Sequence, residues 1–232
     1  MIALGIDSSA KVCSVALVSD RLLAIRTHSD GLTHSQTLLP AVKEVLAEAG
    51  LSLSDLDVIA VSAGPGSFTG LRIGISTVKG LAFADAVPCA AVSTLEALAM
   101  NALSFEGAVI CPVMDARRGE FYNALFTVKS GELMRLVPDR AISGEALSEE
   151  LRSFEKVLIL GDGAVKFTEA FPSYLPNLAA EEIRLQNGES VARLGLREAE
   201  THSLVPCSTL SPRYLRLPQA EREWLAKNIK DE

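Results

Sequence analysis

Apolar residues fall along this chain first in short unbroken runs and then in helical stripes, and the switches between the two mark out its elements. Met1-Ile2-Ala3-Leu4-Gly5-Ile6 reads as a buried strand, followed by the polar turn Asp7-Ser8-Ser9-Ala10. Strands are predicted over 12–18 and 22–27, with Ser19-Asp20-Arg21 turning between them. From Ser35 the period lengthens: Leu38, Leu39, Val42, Val45, Leu46 and Ala49 recur at helical spacing, and Gly50 supplies the stop. Pro40 falls early in that helix, where a missing N–H does least harm. A strand over 58–62 runs into Gly64-Pro65-Gly66-Ser67-Phe68-Thr69-Gly70, and a helix over about 71–84 follows. A short strand over 88–92 leads to Ser93-Thr94-Leu95-Glu96, whose Ser-x-x-Glu spacing is a capping box opening a helix to about Leu103.

Near Gly107 the opening pattern returns. A strand over 108–114 ends in Asp115, the turn Ala116-Arg117-Arg118-Gly119 follows, and a return strand covers 121–128. Strand, carboxyl-end Asp, polar turn and return strand thus occur twice, about 108 residues apart. A later strand over 156–160 ends in Gly161-Asp162-Gly163, a loose echo of the earlier glycine loop. Two related halves, each a sheet flanked by helices, would produce this pattern. So would two unrelated α/β units that each place an Asp at a strand end.

At 232 residues the chain has room for one large domain or two small ones. It is 48% hydrophobic and 22% charged, which excludes a disordered chain, and only 5% aromatic, as in sheets covered by helices. The net charge of −7 argues against gripping nucleic acid unaided, so any RNA should be held by another subunit. The chain opens directly on strand residues, and no apolar run reaches the ~18 residues of a membrane span. A cytoplasmic protein without a membrane segment is expected. Cys13, Cys89, Cys111 and Cys207 are widely spaced with no Cys-x-x-Cys pair, as reduced thiols would be.

Local chemistry leaves alternatives open. Asp7 with Ser8 can hold a metal-bound water and a phosphate, or Asp7 can only satisfy backbone N–H groups of its own turn. The loop with Gly64, Gly66 and Ser67 can cradle an anion at a helix start, or make a tight connection in which Ser67 or Thr69 caps the helix. It is not a phosphate-binding loop of the Gly-Lys-Ser/Thr kind. Gly70, Gly74 and Gly80 interrupt the next helix at about 1 kcal/mol each, which suggests close packing on more than one side. His28, His34 and His202 have no metal-ligand spacing, and His34 reads as a surface or capping residue. Arg117-Arg118 can clamp a phosphate or sit solvated in a turn. Ser8, Ser14 and Ser67 have no sequence-evident base.

Three segments together resemble the TsaB family, formerly YeaZ: Ile6-Asp7-Ser8-Ser9, Gly64 through Gly74 (Gly-Pro-Gly-Ser-Phe-Thr-Gly-Leu-Arg-Ile-Gly) and Asp115-Ala116-Arg117-Arg118-Gly119-Glu120. Ser211-Pro212-Arg213-Tyr214-Leu215-Arg216 resembles that family's closing motif. The resemblance implies an α/β, actin-like fold of two related halves, in the sugar kinase/Hsp70 superfamily with its ribonuclease H-like motif. It implies a partner subunit, working with a TsaD-type transferase and a TsaE-type ATPase to make N6-threonylcarbamoyladenosine at position 37 of tRNAs reading codons that start with A. TsaD-type proteins carry a metal-binding Val-Asn-His-Leu-Glu-Gly-His segment, and here Thr94 and Leu98 stand where its histidines would be. No catalytic residue, metal or cofactor is therefore expected. The alternatives are an ATP-dependent kinase or metallopeptidase-like enzyme of the same superfamily, and a nucleotide-binding regulator.

The expected halves are 1–104, which binds the partner, and 105–217, with a tail over 218–232. Both N-terminal helices carry more apolar residues than one buried face requires. Leu38, Leu39, Val42, Val45, Leu46, Gly70, Gly74, Val78 and Leu81 are therefore the expected interface, for the transferase or for a second copy of the free chain.

Overall fold

The computed structural model describes residues 1–29 and 33–216; the predicted tail lies outside the described residues. The first sheet holds β1 (Ala3–Asp7), β2 (Cys13–Val18), β3 (Leu22–His28), β4 (Val58–Gly64) and β5 (Cys89–Ser93), ordered β3-β2-β1-β4-β5. Two antiparallel hairpins build its left side, and β4 and β5 run parallel to β1 and to each other. Its helices are α1 (His34–Ala49), α2 (Phe68–Phe83) and α3 (Thr94–Met100).

The second sheet repeats the arrangement without a fifth strand. It contains β6 (Val109–Asp115), β7 (Glu120–Lys129), β8 (Glu132–Ser143) and β9 (Val157–Leu160), ordered β8-β7-β6-β9. Again the first pair is antiparallel and the last strand is parallel to the first. The helices α4 (Gly144–Leu151), α5 (Ala164–Ala170), α6 (Glu181–Arg184) and α7 (Gly188–Glu200) complete the chain. The repeated strand order resolves the sequence ambiguity in favour of two related halves, and the fold is the actin-like one with a ribonuclease H-like motif in each.

Period-two alternation sorts the strand residues of the first sheet between two cores. Leu4, Ile6, Val15, Leu17, Ile59 and Val61 face α1 and α2, while Ala3, Ala16, Val18, Val58 and Ala60 face the other way. The small residues on that second face let α7 lie close. A Cβ on Gly195 would come 2.5 Å from the Ala60 Cβ, and one on Gly188 would come 2.8 Å from the Ala16 nitrogen. α3 wedges between the halves, giving Leu95 and Leu98 to the second sheet's core and Ala97 to the first.

Position 104 lies between the last strand of the first sheet and the first strand of the second, and the chain later returns to the first sheet. α7 packs on the first sheet, and beyond it Val205 pairs with Cys89 at the sheet's edge. The cause is that β1–β5 have a second apolar face to cover, and α3, which adds only Ala97 and Met100 there, leaves most of it to α7. β8 also crosses to the first half. Arg135 pairs with Glu96 of α3 at 2.7 Å, Ser93 donates to Asp139 at 2.6 Å, and Arg197 of α7 also reaches Glu96. Burial alone would raise the Glu96 pKa, but the hydrogen bonds from Arg197 and Arg135 outweigh it and hold the carboxylate below its usual range.

Candidate functional site

The carboxyl ends of β1 and β6 face each other across a cleft of about 470 Å³. In the first half the chain occupies its own turn. Asp7 is buried, and its Oδ1 accepts from the Ser9 N–H at 2.9 Å and the Ser9 hydroxyl at 2.6 Å, while Oδ2 accepts from Ser62 at 2.5 Å. Burial raises its pKa against the pull of those hydrogen bonds. The Ser8 hydroxyl donates to the Gly70 carbonyl at 2.9 Å, and His34 Nε2 meets the Ala10 carbonyl at 2.7 Å. Asp7 and Ser8 thus make the hydrogen bonds of a local turn.

The glycine loop is filled in the same way. The Ser67 N–H donates to the Ser9 carbonyl at 2.7 Å, and the Ser67 hydroxyl accepts from the Gly70 N–H at 3.3 Å as the α2 cap. Gly64 has φ +126°, and a Cβ there would run into the Arg213 carbonyl. Arg213 in turn donates its N–H to Ala63 at 2.7 Å, so the closing segment lies across the loop. Gly66 and Ser67 border the cleft, but the Ser67 amide and hydroxyl already have partners. Gly70 and Gly74 answer to the same turn: a Cβ at either would strike Ser8. Their missing side chains make room for the β1–β2 turn, where the sequence expectation assigns them to a partner's helix.

The second half repeats the turn in the open. Asp115 Oδ1 accepts from the Arg117 N–H at 2.8 Å and from Lys166 at 2.9 Å. Arg117 and Arg118 have φ of +65° and +56° in an exposed turn closed by Gly119. Asp162, on the loop after β9, reaches solvent through the cleft, yet protein surrounds it on its other sides. Burial pushes its carboxyl up to about 6, and Asp115 and Asp7 add to the effect.

Outside the cleft, α1 and α2 leave a groove of about 800 Å³. Leu38, Val42, Val45, Leu46 and Val78 do not line it; they are buried in the chain's own core against the first sheet. The expected interface residues that do reach the groove are Leu39, 43% exposed, and Leu81, half-buried. Beside them stand Phe68, Arg72 and Ile73. Sequence spacing missed Phe68 because it belongs to the glycine motif and not to a helical stripe.

Residues 30–224 match the family described as TsaD: tRNA N6-adenosine threonylcarbamoyltransferase. The tRNA threonylcarbamoyladenosine biosynthesis protein TsaB of Bacillus subtilis is 34% identical over 97% of this chain and 98% of its own length. The Haemophilus influenzae TsaB is 30% identical over 92% of each. The chain belongs to the TsaB branch of this family. The solved structure of YeaZ from Pseudomonas aeruginosa superimposes with a TM-score of 0.76 at 31% identity, covering 92% of this chain and 99% of that one.

In this TsaB-family chain the helix after β5 is built into the core. Thr94 is fully buried, and Leu98 packs with Leu95, Ile110 and Phe126 between the sheets. Among the described residues no three His, Cys, Asp or Glu side chains converge on one point. The four cysteines are free, and burial pushes the thiols of Cys13 and Cys89 to about 11 and that of Cys111 to about 12. Among the described residues no helix is long and apolar enough to cross a membrane.

The raised Asp162 pKa gives a pH-dependent expectation. A carboxyl that titrates near 6 in the folded chain and near 3.8 unfolded is penalised when ionised, fully above pH 6 and not at all below pH 3.8. Asp162→Asn should therefore raise the melting temperature at pH 7.5 and leave it unchanged at pH 3.5. Equal shifts at the two pH values in thermal unfolding would contradict this.

Proposed function

We propose that this chain is a non-catalytic subunit in the formation of N6-threonylcarbamoyladenosine at position 37 of tRNAs reading codons that start with A. It docks through the α1–α2 groove onto a TsaD-type transferase, which performs the transfer, and a TsaE-type ATPase joins the pair. The observation that carries this reading is the contrast between two places on the molecule. The turn where a related enzyme would hold phosphate is occupied by Asp7, Ser8 and Ser9 themselves, whereas the groove offers Leu39, Phe68 and Leu81 to an outside partner. With a net charge of −7 the chain leaves tRNA to the transferase. It acts in the cytoplasm, and in the free chain the same groove pairs with a second copy.

Reconstitution tests this directly. Transferase, ATPase, threonylcarbamoyl-adenylate and tRNA should give modified tRNA with this chain present and almost none without it, and the chain alone should neither modify tRNA nor turn over ATP. Undiminished modification in its absence, or steady ATP turnover by the chain alone, would overturn the assignment.

A further inference from the structure

Among the described residues the groove has one charged side chain in its lining, Arg72, and a distant part of the chain holds that side chain in place. The Arg72 guanidinium carbon lies over the Phe68 ring, 4.0 Å from its centroid, and its Nε donates to the Tyr214 hydroxyl at 3.0 Å. Tyr214 stacks on Phe68 with centroids 5.1 Å apart and planes at 25°. Tyr214 is fixed from both sides, by the Arg213 N–H on Ala63 at 2.7 Å and by Arg216 on the Ala116 carbonyl at 3.1 Å and on Glu120 at 2.5 Å. The closing motif, besides lying across the glycine loop, thus contacts the arginine of the groove.

With Nε engaged, the two Nη groups of Arg72 have no carboxylate among the described residues. The acidic residues of α1 do not supply one, because Glu44 and Glu48 pair with Arg26, at 2.9 and 2.6 Å. Arg72 is thus a cation on a largely apolar face with no counter-ion among the described residues. Covering it with a purely apolar partner would strand a desolvated charge, which is strongly unfavourable. A carboxylate meeting the guanidinium fork edge-on would satisfy it and fix register. The length of α2, 16 residues or ~24 Å, suits a partner helix lying along the groove. At Gly80 an added Cβ would meet nothing within 4 Å, so that end is open.

We infer that the groove selects a partner helix carrying a carboxylate within its apolar docking face, that Arg72 grips this carboxylate, and that Tyr214 is the positioning residue for Arg72. This rests on the groove being the docking face, and Leu39→Glu tests that separately. The measurement is the dissociation constant of the full chain for the TsaD-type transferase at several salt concentrations. Arg72→Gln should weaken binding about 30-fold or more and flatten the salt dependence. Arg72→Lys should keep the salt dependence while losing part of the affinity, because a point charge cannot make the two-pronged contact. Tyr214→Phe keeps the stack but removes the Nε acceptor, and should weaken binding by about 5-fold, roughly one hydrogen bond. If Leu39→Glu abolishes binding while Arg72→Gln leaves affinity and salt dependence unchanged, the carboxylate inference fails and the groove stands. If neither variant alters binding, both fall. If Arg72→Gln dissociates a homodimer without affecting the transferase, the carboxylate belongs to the second copy and the assignment to the partner helix is wrong.

Discussion

Leu39→Glu should leave the chain folded and abolish docking, whereas Val42→Glu, less than one turn further along α1, should unfold it. The two positions look alike in sequence, and both belong to the apolar stripe of one helix. Leu39 is 43% exposed at the groove, while Val42 is 1% exposed among Leu38, Val45 and the first sheet. A carboxylate at Leu39 stays hydrated while the groove is uncovered and becomes an unpaired charge only when an apolar partner covers it. At Val42 it has neither water nor a counter-ion. The resulting penalty of several kcal/mol is comparable with the ~5–15 kcal/mol that holds a domain together. Gly74→Leu belongs with Val42→Glu, since its side chain would strike Ser8 beneath α2. Thermal unfolding and transferase capture, measured on each variant, separate the cases. A folded Val42→Glu would contradict the packing of α1, and unchanged capture by Leu39→Glu would remove the groove from the docking face.

Asp7 should behave as a structural residue and not as a catalytic one. Asp7→Ala leaves the Ser9 N–H and the hydroxyls of Ser9 and Ser62 buried without their acceptor. At roughly 1–3 kcal/mol for each stranded group, a loss of about 3 kcal/mol or more is expected. Asp7→Asn keeps an oxygen for Ser9 and presents an amide that can donate to the Ser62 hydroxyl. Burial already favours a neutral side chain there, so this variant should lose less than about 1 kcal/mol. Both variants, where folded, should support tRNA modification at the wild-type rate in the reconstituted system. A residue that worked on phosphate would give the opposite pattern, with Asp7→Asn stable and inactive. Denaturant unfolding together with the modification assay decides between them.

The strand-end aspartates show what the chain's pattern could reveal. Asp7 and Asp115 each close the same turn, accepting from the N–H two residues on, and the repeat was visible because a buried strand and its turn are local features. The glycines of α2 were legible as a demand for close approach, but not as to what approaches. Ser8 lies some sixty positions earlier in the chain, and only the folded sheet brings it beneath them. Counting apolar positions on α1 overstated its free surface, since the sheet takes up all but Leu39 of the leucines and valines. β8, α4 and α7 left weak marks. β8 is an edge strand carrying Glu132, Arg135, Asp139 and Arg140, and α7 is amphipathic toward a sheet formed far earlier in the chain. The Phe68–Tyr214 stack joins two motifs that could each be read separately, and nothing in either announces the other.

The return of α7 to the first sheet also sets the order in which the chain can fold. The face of β1 that carries Ala3 stays bare until residues 188–200 have been made and have crossed back, so the first half cannot finish ahead of the second. Contacts of such long sequence separation are closed late and slowly. During synthesis an apolar sheet face must wait for most of the remaining polypeptide, a natural point of engagement for chaperones. For the same reason the N-terminal half expressed without α7 would not be a smaller version of this protein but an incomplete one.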